Sequence, residues 1–180
     1  YNMADVFSEP TGHPKPFHSW AGHSLTVTSL AFLGGSSALH HVVASGSLDR
    51  SVRLWDVGTG RPVQAKTLNS QVHSLCAGAA ASELVVAGAH GELRSLEVRN
   101  FSDEGGVYLG HSGTVLSCAM SLDGSRVASC SEVDRVRVWE TRTRQCLAQV
   151  HANRDVKISA VKILRHLPHL PGLPPFQPFQ

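Results

Sequence analysis

Polar and apolar positions along this chain alternate with a period of two rather than 3.6. Val27, Ser29 and Ala31 read as one face of a strand, and Thr28, Leu30 and Phe32 as the other. Val52 and Leu54 alternate with Arg53 and Trp55 in the same way. Short β-branched and aromatic runs of this kind, broken by Gly, Ser, Asp and Thr, predict antiparallel strands. A first group falls near residues 26–32, 41–45, 51–56 and 62–68, with turns at Gly34-Gly35-Ser36-Ser37, at 46–50 and at Gly58-Thr59-Gly60. Another runs through 114–120, 126–129, 135–140 and 145–150, with Leu122-Asp123-Gly124-Ser125 as its first turn.

The two groups are copies of one unit. Ser45-Gly46-Ser47-Leu48-Asp49-Arg50-Ser51-Val52-Arg53-Leu54-Trp55-Asp56 returns as Ser129-Cys130-Ser131-Glu132-Val133-Asp134-Arg135-Val136-Arg137-Val138-Trp139-Glu140. Gly22-His23 stands upstream of the first copy and Gly110-His111 upstream of the second. Trp55 and Trp139 are 84 positions apart, or two periods of roughly 42. An eroded copy lies midway, where Val85-Val86-Ala87-Gly88-Ala89-His90-Gly91-Glu92 leads into Leu93-Arg94-Ser95-Leu96-Glu97-Val98. There Leu96 takes the place of the tryptophan and Glu97 that of the aspartate, and no Gly-His precedes it.

Composition narrows the class without changing this picture. Hydrophobic residues make up 42% of the 180 and charged residues 17%, which suits a folded β-rich protein. A net charge of +2 is too small for a dedicated nucleic-acid binder, although it leaves room for a local basic patch. Cys76, Cys118, Cys130 and Cys146 form no C-x-x-C pair and no metal-ligand spacing with histidine, and three of them fall in apolar strand-like runs, where a reduced cysteine acts as a small hydrophobe. His40-His41 would point to opposite faces of a strand and makes a poor metal claw; no metal and no cofactor are expected. No apolar run approaches the length of a membrane-spanning helix.

A Gly-His turn followed by a Trp-Asp strand at this period resembles the WD repeat. The resemblance implies an all-β fold, the WD40 β-propeller. It is incomplete here, with about three four-stranded blades plus one strand, or half of a seven-bladed ring. The blades are expected at 21–69, 70–109 (the degenerate one) and 110–151, with the start of the next at 152–164. Residues 1–20 read as a connecting segment that can supply one outer strand, and the proline-rich 165–180 as an extended tail. Within 152–164, VKISAVKIL (156–164) reads as a further strand. An open half-ring would expose apolar faces and sheet edges, so further blades of the same protein are expected before Tyr1.

The same resemblance implies a buried hydrogen-bonded tetrad in each sound blade. In the first it falls on His23, Ser45, Asp49 and Trp55, and in the third on His111, Ser129, Trp139 and an aspartate out of register. Val133 holds the slot of Asp49, and Asp134 comes one place later. Either the turn gains a residue and Asp134 reaches back to His111, or the chain of bonds is broken. The middle blade lacks the tetrad, which predicts a looser, more mobile blade. A Ser-His-Asp set also suits a hydrolase. Here, however, the set repeats with the blade and no G-x-S-x-G elbow occurs, so no catalytic residues are assigned and an enzyme is not expected. Ser24, Arg50, His90, Glu92, Ser112, Glu132 and Arg135 fall on the turns that share one face and form the candidate partner-binding surface. Arg135, Arg137, Arg142 and Arg144, with Arg50, Arg53 and Arg61, read either as solvated outer-strand arginines or as contacts for RNA or an acidic partner.

A narrower resemblance covers nearly the whole chain. ALHHVVASGSLDRSVRLWDVGTGRPV (38–63) is followed at once by the eroded AGAHGELRSLEV (87–98). The acidic insertion 101–107 precedes YLGHSGTVLSCAMSLDGS (108–125), and VKISAVKIL runs into a Leu-Pro-rich tail. This order resembles the WD-repeat subunit family of the Rix-type pre-60S ribosome-assembly complex, PELP-associated in vertebrates, in the C-terminal half of its propeller. The resemblance implies a non-catalytic scaffold in the nucleus and nucleolus that docks on a helical-repeat scaffold subunit and on the pre-60S particle in rRNA processing. It leaves direct RNA contact open. An interaction platform in a ubiquitin-ligase substrate receptor or a trafficking coat is the alternative.

Overall fold

The computed structural model describes residues 16–34, 41–78, 83–102, 105–133, 136–150 and 158–164. Its strands are β1 (Val27–Leu33), β2 (Val42–Ser47), β3 (Ser51–Asp56), β4 (Pro62–Thr67), β5 (Val72–Ala77), β6 (Glu83–Gly88), β7 (Leu93–Glu97), β8 (Val115–Met120), β9 (Arg126–Ser131), β10 (Val136–Glu140) and β11 (Cys146–Val150). They form antiparallel meanders in chain order: β1 to β4, β5 to β7, and β8 to β11. Among the described residues, blades one and three are thus four-stranded and the middle blade has three strands.

Its fourth place is held by the return of the insertion. Val107 forms a single bridge to Arg94. Ser95 N–H bonds to the Gly106 carbonyl and Tyr108 N–H to the Leu93 carbonyl, so the outer edge of β7 is covered without a regular strand. Phe101 has a φ of 53°, and Gly105 sits so close to the Ser95 carbonyl that a Cβ there would lie 2.5 Å from its oxygen. Such an irregular path cannot keep a ladder in register.

The period-two pattern sorts the core into two layers. Leu84, Val86, Leu96 and Val98 of the middle blade pack with Val42, Ala44, Val52, Leu54, Leu68, Val72 and Leu75. Val85, Ala87 and Leu93 point the other way and pack with Val115, Cys118, Val127 and Trp139. The middle blade is therefore covered on both faces, which is why Leu84-Val85-Val86-Ala87 is continuously apolar. Each fully buried Leu or Val contributes about 1.5–3 kcal/mol relative to exposure.

Adjacent blades are also joined through backbone and serine. Ser29 Oγ accepts from Leu75 N–H at 3.0 Å, Ser74 Oγ from Cys118 N–H at 3.2 Å, and Ser117 Oγ from Val161 N–H at 3.3 Å. The first strand of every blade carries a β-bulge beside that serine, between Val27 and Ser29, Val72 and Ser74, and Val115 and Ser117. The bulge corrects the simple alternation expected for β1, because Val27 is exposed together with Leu30 and Phe32.

Two flanks carry no strand among their described residues. Residues 158–164 rest on β8 through Val161 but adopt no strand, because no described strand lies beside them to complete a ladder. Residues 16–20 likewise carry no strand. Residues 1–15, 134–135 and 165–180 lie outside the described residues, and with them Asp134, Arg135 and the proline-rich tail.

Candidate functional site

The marked residues of the first blade converge on one buried chain. His23 comes from the loop before β1, Ser45 from β2, Asp49 from the β2–β3 turn and Trp55 from β3. His23 Nδ1 lies 3.0 Å from Asp49 Oδ2, His23 Nε2 lies 2.7 Å from Ser45 Oγ, and Trp55 Nε1 donates to Ser45 Oγ at 2.8 Å. The chemistry fixes the direction of the protons. A carboxylate only accepts, so Nδ1 donates to Asp49, and the Ser45 oxygen accepts from the indole. Asp49 also accepts from the N–H of Ser24 and Ser51 and from the Ser51 hydroxyl. Burial pulls its carboxyl upward, but the Ser51 hydroxyl, the Ser24 N–H and His23 together outweigh it and hold the group well below the usual carboxylate range.

The third blade repeats the chain through Ser129. His111 Nε2 lies 2.7 Å from Ser129 Oγ, and Trp139 Nε1 donates to the same oxygen at 2.8 Å. Both serines are spent on their tryptophans inside a sheet, and neither faces an open cleft: Ser45 is 4% exposed and Ser129 0%. A hydroxyl so placed staples strands and is not available as a nucleophile.

Each tryptophan is covered by an aromatic three residues before the histidine. Trp20 stacks on Trp55 at a centroid distance of 5.7 Å, and Tyr108 meets Trp139 edge-on at 5.8 Å. The glycine before each histidine makes room for this cover. A Cβ on Gly22 would lie 2.9 Å from the Trp55 ring and 3.1 Å from the Arg53 guanidinium; on Gly110 it would lie 2.6 Å from that of Arg137. The motif Trp20-Ala21-Gly22-His23, matched by Tyr108-Leu109-Gly110-His111, carried this signal in the sequence.

The middle blade fills the tetrad's place differently. Leu96 is fully buried where the indole would stand. Glu92 turns inward, accepting from the Ser70 hydroxyl and pairing with Arg94 Nε at 2.6 Å. It is half-buried in this pair and does not stand out for a partner, which corrects its expected role.

Of the other candidate face residues, Ser24, Arg50, His90, Ser112 and Glu132 are exposed. Arg50 and His90 hold the left-handed backbone, with φ of 66° and 56°, which aims tight turns outward at a cost of about 1–2 kcal/mol each. The arginines divide. Arg50, Arg61 and Arg142 are exposed, whereas Arg53 and Arg137 are half-buried beside the tryptophans and Arg144 is tied into the molecule. Cys76, Cys118 and Cys130 are buried free thiols, and contact with Cys118, then burial, pushes the Cys76 thiol up, keeping it protonated and inert. Among the described residues no three His, Cys, Asp or Glu side chains gather to hold a metal, and no helix is long and apolar enough to cross a membrane.

Antiparallel meanders stacked face to face and stapled by a repeated Trp-Ser-His chain, completed by Asp49 in the first blade, define the fold as an open part of a WD40 β-propeller. The WD domain, G-beta repeat family model matches residues 14–56 and 102–140. Among curated proteins, human WD repeat-containing protein 18 is 28% identical over 166 residues, covering 86% of this chain and 38% of that protein. The bovine form is 29% identical over 155 residues (79% and 35%), and the zebrafish form 25% over 174 (89% and 40%). The chain thus spans well under half the length of these relatives. A solved structure, that of U3-55K, superposes with a TM-score of 0.69 at 18% identity, covering 79% of this chain and 44% of that one; the likeness concerns the fold.

Proposed function

We propose that this chain is part of a non-catalytic scaffold subunit of a nuclear pre-60S ribosome-assembly complex of the Rix type. The observation that carries the reading is the similarity to WD repeat-containing protein 18 over 86% of the chain. The geometry supports binding over catalysis, since the serines and histidines that suit a hydrolase are consumed in stapling blades. Ser24, Arg50, His90, Ser112 and Glu132 form the proposed partner face, and a helical-repeat subunit and the pre-60S particle are the proposed partners.

The ring is completed by further blades of the same polypeptide. Val27, Leu30 and Phe32 of β1 are 46%, 66% and 62% exposed, whereas Val72 and Leu75 at the matching places of β5 are 0% and 5%. An apolar face of this kind wants a neighbouring blade. The test is purification of the tagged full-length protein from nuclear extract. Precursor RNA of the large ribosomal subunit and a helical-repeat assembly factor are expected to co-purify. Recovery of ligase or coat components with no pre-ribosomal material would overturn the reading.

A further inference from the structure

The eroded middle blade lacks the Trp-Ser-His chain that staples its neighbours, yet a second buried polar cluster reaches into it from blade three. Arg144, in the turn between β10 and β11, donates to Glu83 Oε1 at 2.9 Å and to the Tyr108 hydroxyl at 2.8 Å. It donates as well to the carbonyls of Gly105 and Thr141. Glu83 opens β6, and Gly105 and Tyr108 belong to the return that covers β7. The Tyr108 hydroxyl also lies 3.2 Å from Ser95 Oγ, on β7 beside the Leu96 that replaces the tryptophan. One guanidinium thus ties two strand regions of blade two to a turn of blade three, with its Cζ 5.0 Å from the Tyr108 ring centroid.

The position is costly for arginine unless it is used. Arg144 has a φ of 62°, and the residue 84 places earlier in the first blade, in the same turn, is Gly60 with a φ of 70°. Both turns close with the same bond, Gly60 N–H to Asp56 and Arg144 N–H to Glu140. In blade one the neighbouring aromatic, Trp20, donates to the Gly60 carbonyl at 3.2 Å, and the ring of His18 fills the space beside the glycine. Blade three instead places a side chain there that spans the joint. Arginine suits the task because its planar fork can serve a carboxylate, a phenol and two carbonyls at once.

We infer that Arg144 is an inter-blade latch that replaces the missing tetrad, so that blade two opens only together with blade three. Glu83 supplies the counter-charge, and Tyr108 relays the latch to Ser95. Arg144 is a positioning residue for the blade in front of it.

The test is native-state hydrogen exchange on the full-length protein carrying Arg144→Met, which keeps the stem and removes the donors. Amides of β6 and β7 are expected to exchange about tenfold faster or more, while those of β2 and β3 stay unchanged. Tyr108→Phe keeps the ring against Trp139 and removes only the hydroxyl, so it remains usable should Arg144→Met fail to fold. Its effect should fall on the same strands. Acceleration confined to β10 and β11, with β6 and β7 within twofold of wild type for the variant measured, would overturn the latch.

Discussion

The residue that carries most of the local order in the first blade is Asp49. It accepts four hydrogen bonds at one turn and sits with its side chain 8% exposed, so its loss removes the acceptor that four donors share. Asp49→Ala is expected to lower stability by about 2–4 kcal/mol, read from chemical denaturation. The pH dependence has a definite sign. The carboxyl is held below its unfolded value of about 4, so its contribution is complete above that pH and lost progressively as pH falls below it. Asp49→Asn removes this titration and should flatten the acid limb of the stability profile. An acid limb as steep as that of the wild type would contradict the assignment. Sequence spacing was enough to find these residues, because each has a fixed place in a repeated turn. It missed Trp20 and Tyr108 as covers and Arg144 as a latch. Those depend on which blade packs against which, and no periodicity within one strand encodes that.

At the scale of elements, the strands of blades one and three follow the polar and apolar pattern to within a residue or two at most ends, because each has a regular partner on either side or a sharp turn at its end. The exceptions differ in cause. Residues 158–164 have strand-forming composition but no described ladder partner, and the return at 105–108 has a partner but an irregular backbone. Strand propensity expresses itself only where a neighbour supplies hydrogen bonds. The serine bridges Ser29, Ser74 and Ser117 were legible as a recurring Val-x-Ser at the start of each blade, yet nothing in the spacing says that they serve the next blade. Loss of the tetrad suggested a loose middle blade, but its strands are packed on both faces, which offsets part of the loss. The open face of β1 gives the clearest test at this scale. In the full-length protein, Leu30→Asp should cost about 2–4 kcal/mol, comparable to Leu75→Asp, because another blade covers it. A cost within about 0.5 kcal/mol would mean that β1 remains a free surface.

The described residues form a stack of three sheets whose polar staples lie inside, with Ser24, Arg50, His90, Ser112 and Glu132 exposed on the turns. Rigid strands hold the turns in fixed relation, which is what a binding platform requires. The fold alone would suit many partners; the choice of a pre-60S complex rests on the likeness to WD repeat-containing protein 18 along most of the chain. The turn face and the tetrad make opposite predictions for substitution, since one should change partners and the other stability. The most direct measurement is therefore quantitative co-purification of pre-60S material with the full-length protein carrying Arg50→Glu together with His90→Glu, alongside its thermal midpoint. These reversals sit on exposed turns, so binding is expected to fall by about tenfold or more with the midpoint within a few degrees of wild type. Undiminished recovery of pre-60S material by that variant would contradict the account of this face as the docking surface.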